Sequence, residues 1–116
     1  MQNKEVLIVD DEQEICMLLS NIVKKAGREP LSVNSIAEAK SQIKKHIPDT
    51  VFLDVNLPDG VGLDLIPVIK TKKPKAKIIV ISAHDGVEEQ QEALNIGADQ
   101  FIGKPFTSQQ VLHSLS

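Results

Sequence analysis

Three short apolar runs, at residues 6–9, 51–53 and 78–81, contain no internal polar position, and each stops at a polar side chain: Asp10, Asp54 and Ser82. Runs of this length without alternation predict strands buried on both faces. After the first run, Ile15, Leu18, Leu19, Ile22, Val23 and Ala26 recur at helical spacing, and Gly27 is placed to cap the end of that helix. Residues 30–33 predict a brief second strand. Ser35 followed by Glu38 has the capping-box pattern for a second helix running to about Ile47, with Ala39, Ile43 and Ile47 as its buried stripe. The third strand, residues 50–53, is followed by the turn Pro58-Asp59-Gly60, after which Leu63, Ile66 and Ile69 mark one face of a third helix. Pro67 costs that helix a backbone hydrogen bond or a kink unless it falls in the first turn. Beyond the strand at 78–81, Asp85-Gly86-Val87-Glu88 predicts a capping box for a fourth, mostly polar helix closing at Gly97. A short strand at 100–102 and a fifth helix that starts at Thr107-Ser108-Gln109-Gln110 and is cut by the chain end at Ser116 complete the pattern.

Strand and helix alternate five times, and near-continuous apolar strands require a parallel sheet covered on both faces and joined by right-handed crossovers. The expected architecture is a doubly wound α/β sandwich with strand order 2-1-3-4-5 and its crevice between strands one and three. That order sets Asp10 and Asp11 beside Asp54, at the carboxyl edge where open parallel sheets bind ligands.

Composition narrows the reading further. A chain of 116 residues is one domain with one core, and no apolar run approaches the roughly 20 residues that span a bilayer. A cytoplasmic protein is expected. The net charge of −3 and the lack of a dense basic run speak against nucleic-acid binding by this domain. Lys70, Lys72, Lys73, Lys75 and Lys77 crowd one stretch interrupted by Pro74, which reads as a solvated loop. Cys16, the single cysteine, excludes an internal disulfide and is expected on a helix flank; no Cys/His cluster has zinc spacing.

Strands one, three, four and five each deliver a polar residue at their C-terminal end: Asp10-Asp11, Asp54, Ser82 and Lys104. Each has a plain explanation by itself. Asp10 and Asp11 suit the cap of the first helix, Asp54 a turn, and Lys104 an exposed loop. Their coincidence at four strand ends is what a purely structural account leaves unexplained. Unit charges about 4 Å apart repel by on the order of 4 kcal/mol at an effective dielectric near 20, so three gathered carboxylates require a cation. A hard divalent ion, Mg2+ for preference, bound by carboxylate, carbonyl and water oxygens meets that need, with Lys104 as a fixed positive charge beside it. Asp54 then suits the nucleophile of an aspartyl-phosphate chemistry in which Lys104 and the Ser82 hydroxyl receive phosphoryl oxygens.

From about Lys4 onward the chain resembles the receiver domain of two-component response regulators, the CheY-like superfamily. The resemblance rests on Val9-Asp10-Asp11-Glu12, the run from Phe52 through Asp54 to Pro58, Ile79-Val80-Ile81-Ser82-Ala83, and the stretch from Gly97 to Phe106 containing Lys104-Pro105. It implies a flavodoxin-like fold and phosphorylation of Asp54 by a sensor histidine kinase or histidine phosphotransfer protein. By position it makes Asp11 the direct metal ligand, Asp10 a largely water-mediated one, and Asn56 the donor of a backbone carbonyl. It makes Ser82 the hydroxyl that follows the phosphoryl group, Lys104 its counter-ion and Phe101 the aromatic switch. The Lys104–Pro105 bond is typically cis in this family. Phe101 lacks the phenolic hydroxyl many relatives carry, Pro67 is unusual, and the short last helix suggests a trimmed chain or the front of a longer regulator.

The resemblance further implies an output domain or downstream partner, control of transcription, and a homodimer face built from the fourth helix, fifth strand and fifth helix. Asn56 and His84, two residues beyond Asp54 and Ser82, are expected to flank the path of attacking water and tune dephosphorylation. A metal-dependent phosphatase with an aspartyl nucleophile is the alternative, but its general acid would stand at Asn56, which cannot donate and recover a proton. A flavodoxin-like cofactor binder needs a phosphate cradle where Asp10, Asp11 and Glu12 would repel phosphate.

Overall fold

The computed structural model describes residues 5–115. Lys4, near which the resemblance begins, and Ser116, the expected end of the last helix, lie outside the described residues. The elements are β1 (Glu5–Val9), α1 (Gln13–Lys25), β2 (Glu29–Val33), α2 (Ile36–Lys45), β3 (Thr50–Asp54), β4 (Asn56–Leu57), β5 (Gly60–Val61), a 3-10 turn at Gly62–Asp64, α3 (Leu65–Lys72), β6 (Lys77–Ser82), α4 (Val87–Ile96), β7 (Gln100–Gly103) and α5 (Ser108–Leu115). The main sheet is parallel with order β2-β1-β3-β6-β7, while β4 and β5 form a separate two-residue hairpin. Without that hairpin the order is the expected 2-1-3-4-5, the flavodoxin-like arrangement.

Alternation along the strands feeds two cores. Leu7, Val9, Val51, Leu53, Ile78 and Val80 point to one face and pack with Ala39 and Ile43 of α2, Ile66 and Ile69 of α3, and Ala93 of α4. Val6, Ile8, Phe52, Ile79 and Ile81 point to the other and meet Leu19, Ile22 and Val23 of α1 and Val111 and Leu115 of α5. Successive residues of one strand thus bury in opposite layers, which is why the runs carry no polar position.

Most predicted boundaries agree to within a residue or two. Pro30 sits in β2, the edge strand of the sheet, where proline is tolerated. Pro67 is the third residue of α3, within the first turn, where an N–H has no intrahelical partner to lose. Gly27, at φ +81, follows the C-cap Ala26 and takes a left-handed conformation there. Thr107 and Gln110 form a reciprocal cap at the start of α5: Gln110 N–H donates to Thr107 Oγ1 and Thr107 N–H to Gln110 Oε1.

Four readings are corrected. Asp85 does not cap α4, whose N-cap is Gly86 with no side-chain cap bond. Helix α2 ends at Lys45, and Ile47 packs against the core from the loop beyond it. Cys16 is buried, because it sits on the inward side of α1 with its thiol donating to Asp10 O at 3.2 Å. The lysine stretch is the end of α3, a tight turn and the first residue of β6, Lys77, and Lys70 and Lys73 reach across to Asp99 and Asp49 at 2.9 and 2.8 Å. Among the described residues no helix is long and apolar enough to cross a membrane.

Candidate functional site: an acidic cleft at the carboxyl edge of the sheet

Strand β1 ends at Val9 and β3 at Asp54, and their parallel pairing brings the next residue of β1, Asp10, beside Asp54. Both side chains are almost fully buried. Asp10 is held by its own backbone turn: its Oδ1 accepts from Glu12 N–H at 2.9 Å. Its Oδ2 meets the Lys104 ammonium and no other partner among the described residues. Neither Asp10 nor Asp11 occupies the N-cap of α1, which falls at Glu12 and lacks a side-chain cap bond.

Lys104 enters from the loop after β7 and stands amid the carboxylates. Its Nζ is 2.8 Å from Glu12 Oε1, 3.1 Å from Asp10 Oδ2 and 3.6 Å from Asp54 Oδ2, and its side chain is 11% exposed. The Lys104 N–H donates to Ser82 O at 2.9 Å, which ties the lysine to the end of β6, and the Lys104–Pro105 peptide is cis. The cation needed among the acids is thus partly supplied by the chain itself.

The electrostatics follow from burial. Asp54 is pushed up to about 6, first by burial and then by the neighbouring Asp10 charge, against the opposing pull of Lys104 and the Val55 and Asn56 backbone. Burial likewise raises Asp10, with the Glu12 N–H and Lys104 opposing it. For Lys104 burial acts downward, but Glu12, Asp10 and Asp54 outweigh it and hold the ammonium at about 12.

Asp11, Glu12, Asp54, Asn56, Ala83, His84 and Lys104 line one open cleft. The structure brings together the predicted Asp10, Asp11, Asp54, Asn56, His84 and Lys104, with Ser82 buried just beneath, its Oγ accepting from His84 N–H at 3.0 Å. A hydroxyl that accepts one bond can still donate its own proton. Phe101 lies elsewhere: half-buried on β7, it packs on the core side that holds α4 and lines a second groove with Leu94, Gln110 and His113.

Oxygen atoms of Asp10, Glu12 and Asp54 lie within 4.8 Å of one another, a donor set suited to a hard divalent cation. Asp10 Oδ2, which meets no partner but the Lys104 ammonium among the described residues, keeps lone pairs for such a cation. Glu12 had no assigned role in the sequence reading, and its signal was only adjacency to two acids. Asp11 is exposed and lines the cleft without joining this cluster.

A second missed residue is Gly62. Its N–H donates to Val55 O at 2.6 Å, and a Cβ at this position would overlap the backbone carbonyl of Asp54. No side chain fits between the hairpin and the end of β3, so Gly62 sets how closely the loop wraps Asp54.

A family model for the response regulator receiver domain matches residues 6–116. The chain is 40% identical over 114 residues to the chemotaxis protein CheY of Thermotoga maritima, covering 97% of this chain and 95% of that one. It is 28% identical over 113 residues to the photosynthetic apparatus regulatory protein RegA of Cereibacter sphaeroides, covering 97% of this chain but 61% of that protein. The chain therefore spans about three fifths of the RegA proteins it matches. Among solved structures, the beryllofluoride-activated NtrC4 receiver domain dimer superposes with a TM-score of 0.90 at 37% identity, covering 97% of this chain and 93% of that one. With the sheet order, the acidic cleft and these matches in agreement, the chain belongs to the response regulator receiver domain family.

Proposed function

We propose that Asp54 is the phosphoryl acceptor of this signalling switch, taking the group from a phosphohistidine of a sensor kinase or phosphotransfer protein. The observation that carries this reading is the nearly buried Asp54 carboxylate at the floor of an open cleft, 3.6 Å from Lys104 Nζ. In the transfer, an Asp54 oxygen attacks phosphorus, the bond from phosphorus to the donor nitrogen breaks, and its electron pair leaves with the imidazole. Lys104 holds one phosphoryl oxygen by charge, and the Ser82 hydroxyl donates to another. Asp11, Asp54 and the Asn56 backbone carbonyl, with Asp10 through water, are the proposed ligands of Mg2+. When bound, that ion neutralises charge on the carboxylates and the transferring group.

A phosphoryl group adds about −1.5 to −2 charge and three acceptor oxygens, a partner for Ser82 and Lys104 that exists only in the modified state. Ser82 drawn toward it breaks its bond with His84 N–H and opens space toward which Phe101 turns. The α4–β7–α5 face then changes, favouring a homodimer or partner. Leu94, Ile96 and Leu112 stand exposed there. Asn56 and His84, exposed in the cleft, tune the lifetime of the modified state by flanking the approach of water. The domain is proposed as the receiver portion, residues 1–116, of a cytoplasmic regulator whose output is transcriptional, as the names of several relatives suggest.

Intact mass after incubation with an acyl phosphate and Mg2+ tests the assignment. One added phosphoryl group in the wild type, none in Asp54→Asn and none after chelation is the expected result; a gain that persists in Asp54→Asn refutes it.

A further inference from the structure

The hairpin β4–β5 that follows Asp54 is anchored at its tip. Asp59 lies in the turn between the two short strands, and its carboxylate accepts two backbone N–H groups at the start of α2: Ile36 to Oδ1 at 2.8 Å and Ala37 to Oδ2 at 3.0 Å. These are two of the orphan donors that every helix N-terminus presents. The same segment is already capped from its own side, since Ser35 Oγ accepts from Glu38 N–H at 3.1 Å and Glu38 Oε1 accepts from Asn34 N–H at 2.7 Å. Asp59 is therefore an added cap arriving from a loop 23 residues away.

The start of α2 also holds the other acidic strand end. Asn34 Nδ2 donates to Asp10 O at 2.9 Å. One short segment, residues 34–38, thus grips the loop after β1 through Asn34 and the loop after β3 through Asp59. At the base of the hairpin, Gly62 closes on Val55 O and lies against Asp54, and Asn56 faces the cleft between base and tip. The side chain of Ile36 crowds Gly60, which holds the tip from a second direction.

We infer that Asp59 is a positioning residue for phosphoryl acceptance: by tying the hairpin to the N-terminus of α2, it sets Asn56 and Asp54 against the Asp10 side of the cleft. The inference rests on the reading of Asp54 as acceptor. The two N–H bonds hold the Asp59 carboxyl below its ordinary range, so it stays an acceptor at all working pH values. Loss of these two bonds leaves the hairpin held by Leu57 in the core, Gly62 on Val55 O and the packing of Ile36 on Gly60, so its tip can shift, and displacement of a reacting group by ~1 Å costs up to about 100-fold in rate.

The experiment compares initial rates of phosphoryl uptake from an acyl phosphate at saturating Mg2+, together with the Mg2+ dissociation constant, in four proteins: wild type, Asp59→Ala, Asp59→Asn and Ser35→Ala. Ser35→Ala removes a cap of the same helix without touching the hairpin, so it reports any effect of α2 stability alone. The expected result is a rate lowered about tenfold or more in Asp59→Ala, with weaker Mg2+ binding. Asp59→Asn, which keeps one acceptor oxygen, falls between, and Ser35→Ala stays near wild type. Equal rates in Asp59→Ala and wild type, or an equal loss in Ser35→Ala, overturn the inference while leaving Asp54 as acceptor. No uptake by the wild type overturns the acceptor reading instead.

Discussion

Replacing Asp54 by Asn is expected to stabilise the fold at neutral and alkaline pH, and the gain is expected to fade on acidification. Asp54 stands at about 6 in the folded protein against an ordinary 3.8, because burial and then the Asp10 charge disfavour its ionised form. The folded form therefore binds more protons than the unfolded chain between those two values. Stability consequently falls as pH rises through about 4 to 6, and the full cost stands above that window. A difference of about 2 pKa units at 1.36 kcal/mol each gives a cost of about 3 kcal/mol at pH 7, roughly half of it at pH 5 and little below pH 4. Asn keeps the shape without the charge but has its own burial cost, so a gain of about 1 to 3 kcal/mol is expected. Urea unfolding of wild type and Asp54→Asn at pH 8, 7, 6, 5 and 4, in the presence of a chelator, measures it. Added Mg2+ is expected to stabilise the wild type selectively and narrow the gap. A variant no more stable than wild type at pH 8, or a gain that grows on acidification, refutes the reasoning.

Lys104→Met leaves Asp10, Glu12 and Asp54 without their shared cation, and a loss of about 3 kcal/mol at pH 7 is expected, smaller at pH 5 and partly restored by Mg2+. A loss independent of pH, followed by unfolding curves, would show that packing rather than charge is at stake. Gly62→Ala forces a Cβ into the Asp54 carbonyl and is expected to cost about 2 kcal/mol and to slow phosphoryl uptake, as unfolding and intact mass will report. Asp11→Ala is expected to weaken Mg2+ binding more than Asp10→Ala; a calorimetric titration giving the reverse order exchanges their roles. Adding a phosphoryl mimic with Mg2+ is expected to alter amide exchange across residues 83–106, and changes confined to the loops around Asp10 and Asp54 would sever the proposed route from the cleft to the α4–β7–α5 face.

Much of this fold is encoded between neighbouring residues. Strand positions, helix faces and the polar residue closing each strand follow from local periodicity, because a strand buried on both faces has no place for a polar side chain until it leaves the sheet, and the strand order follows from the usual arrangement of five such units. Asp54, Ser82 and Lys104 were legible for that reason. Which side chains meet across the edge is set by long-range packing. Glu12 and Lys104 pair although 92 positions separate them, and Asp59, in sequence a turn residue, proves to cap a helix that precedes it. Gly62 carries no periodic signal, yet the approach of the Asp54 carbonyl makes any side chain there too large. Cys16 was assigned to a flank because helical spacing leaves the edges of a face undefined, and the packing of α1 on β1 settled it inward. Each of these depends on how crossovers stack the elements, and a contact between residues distant in the chain leaves no periodic trace in either segment that makes it.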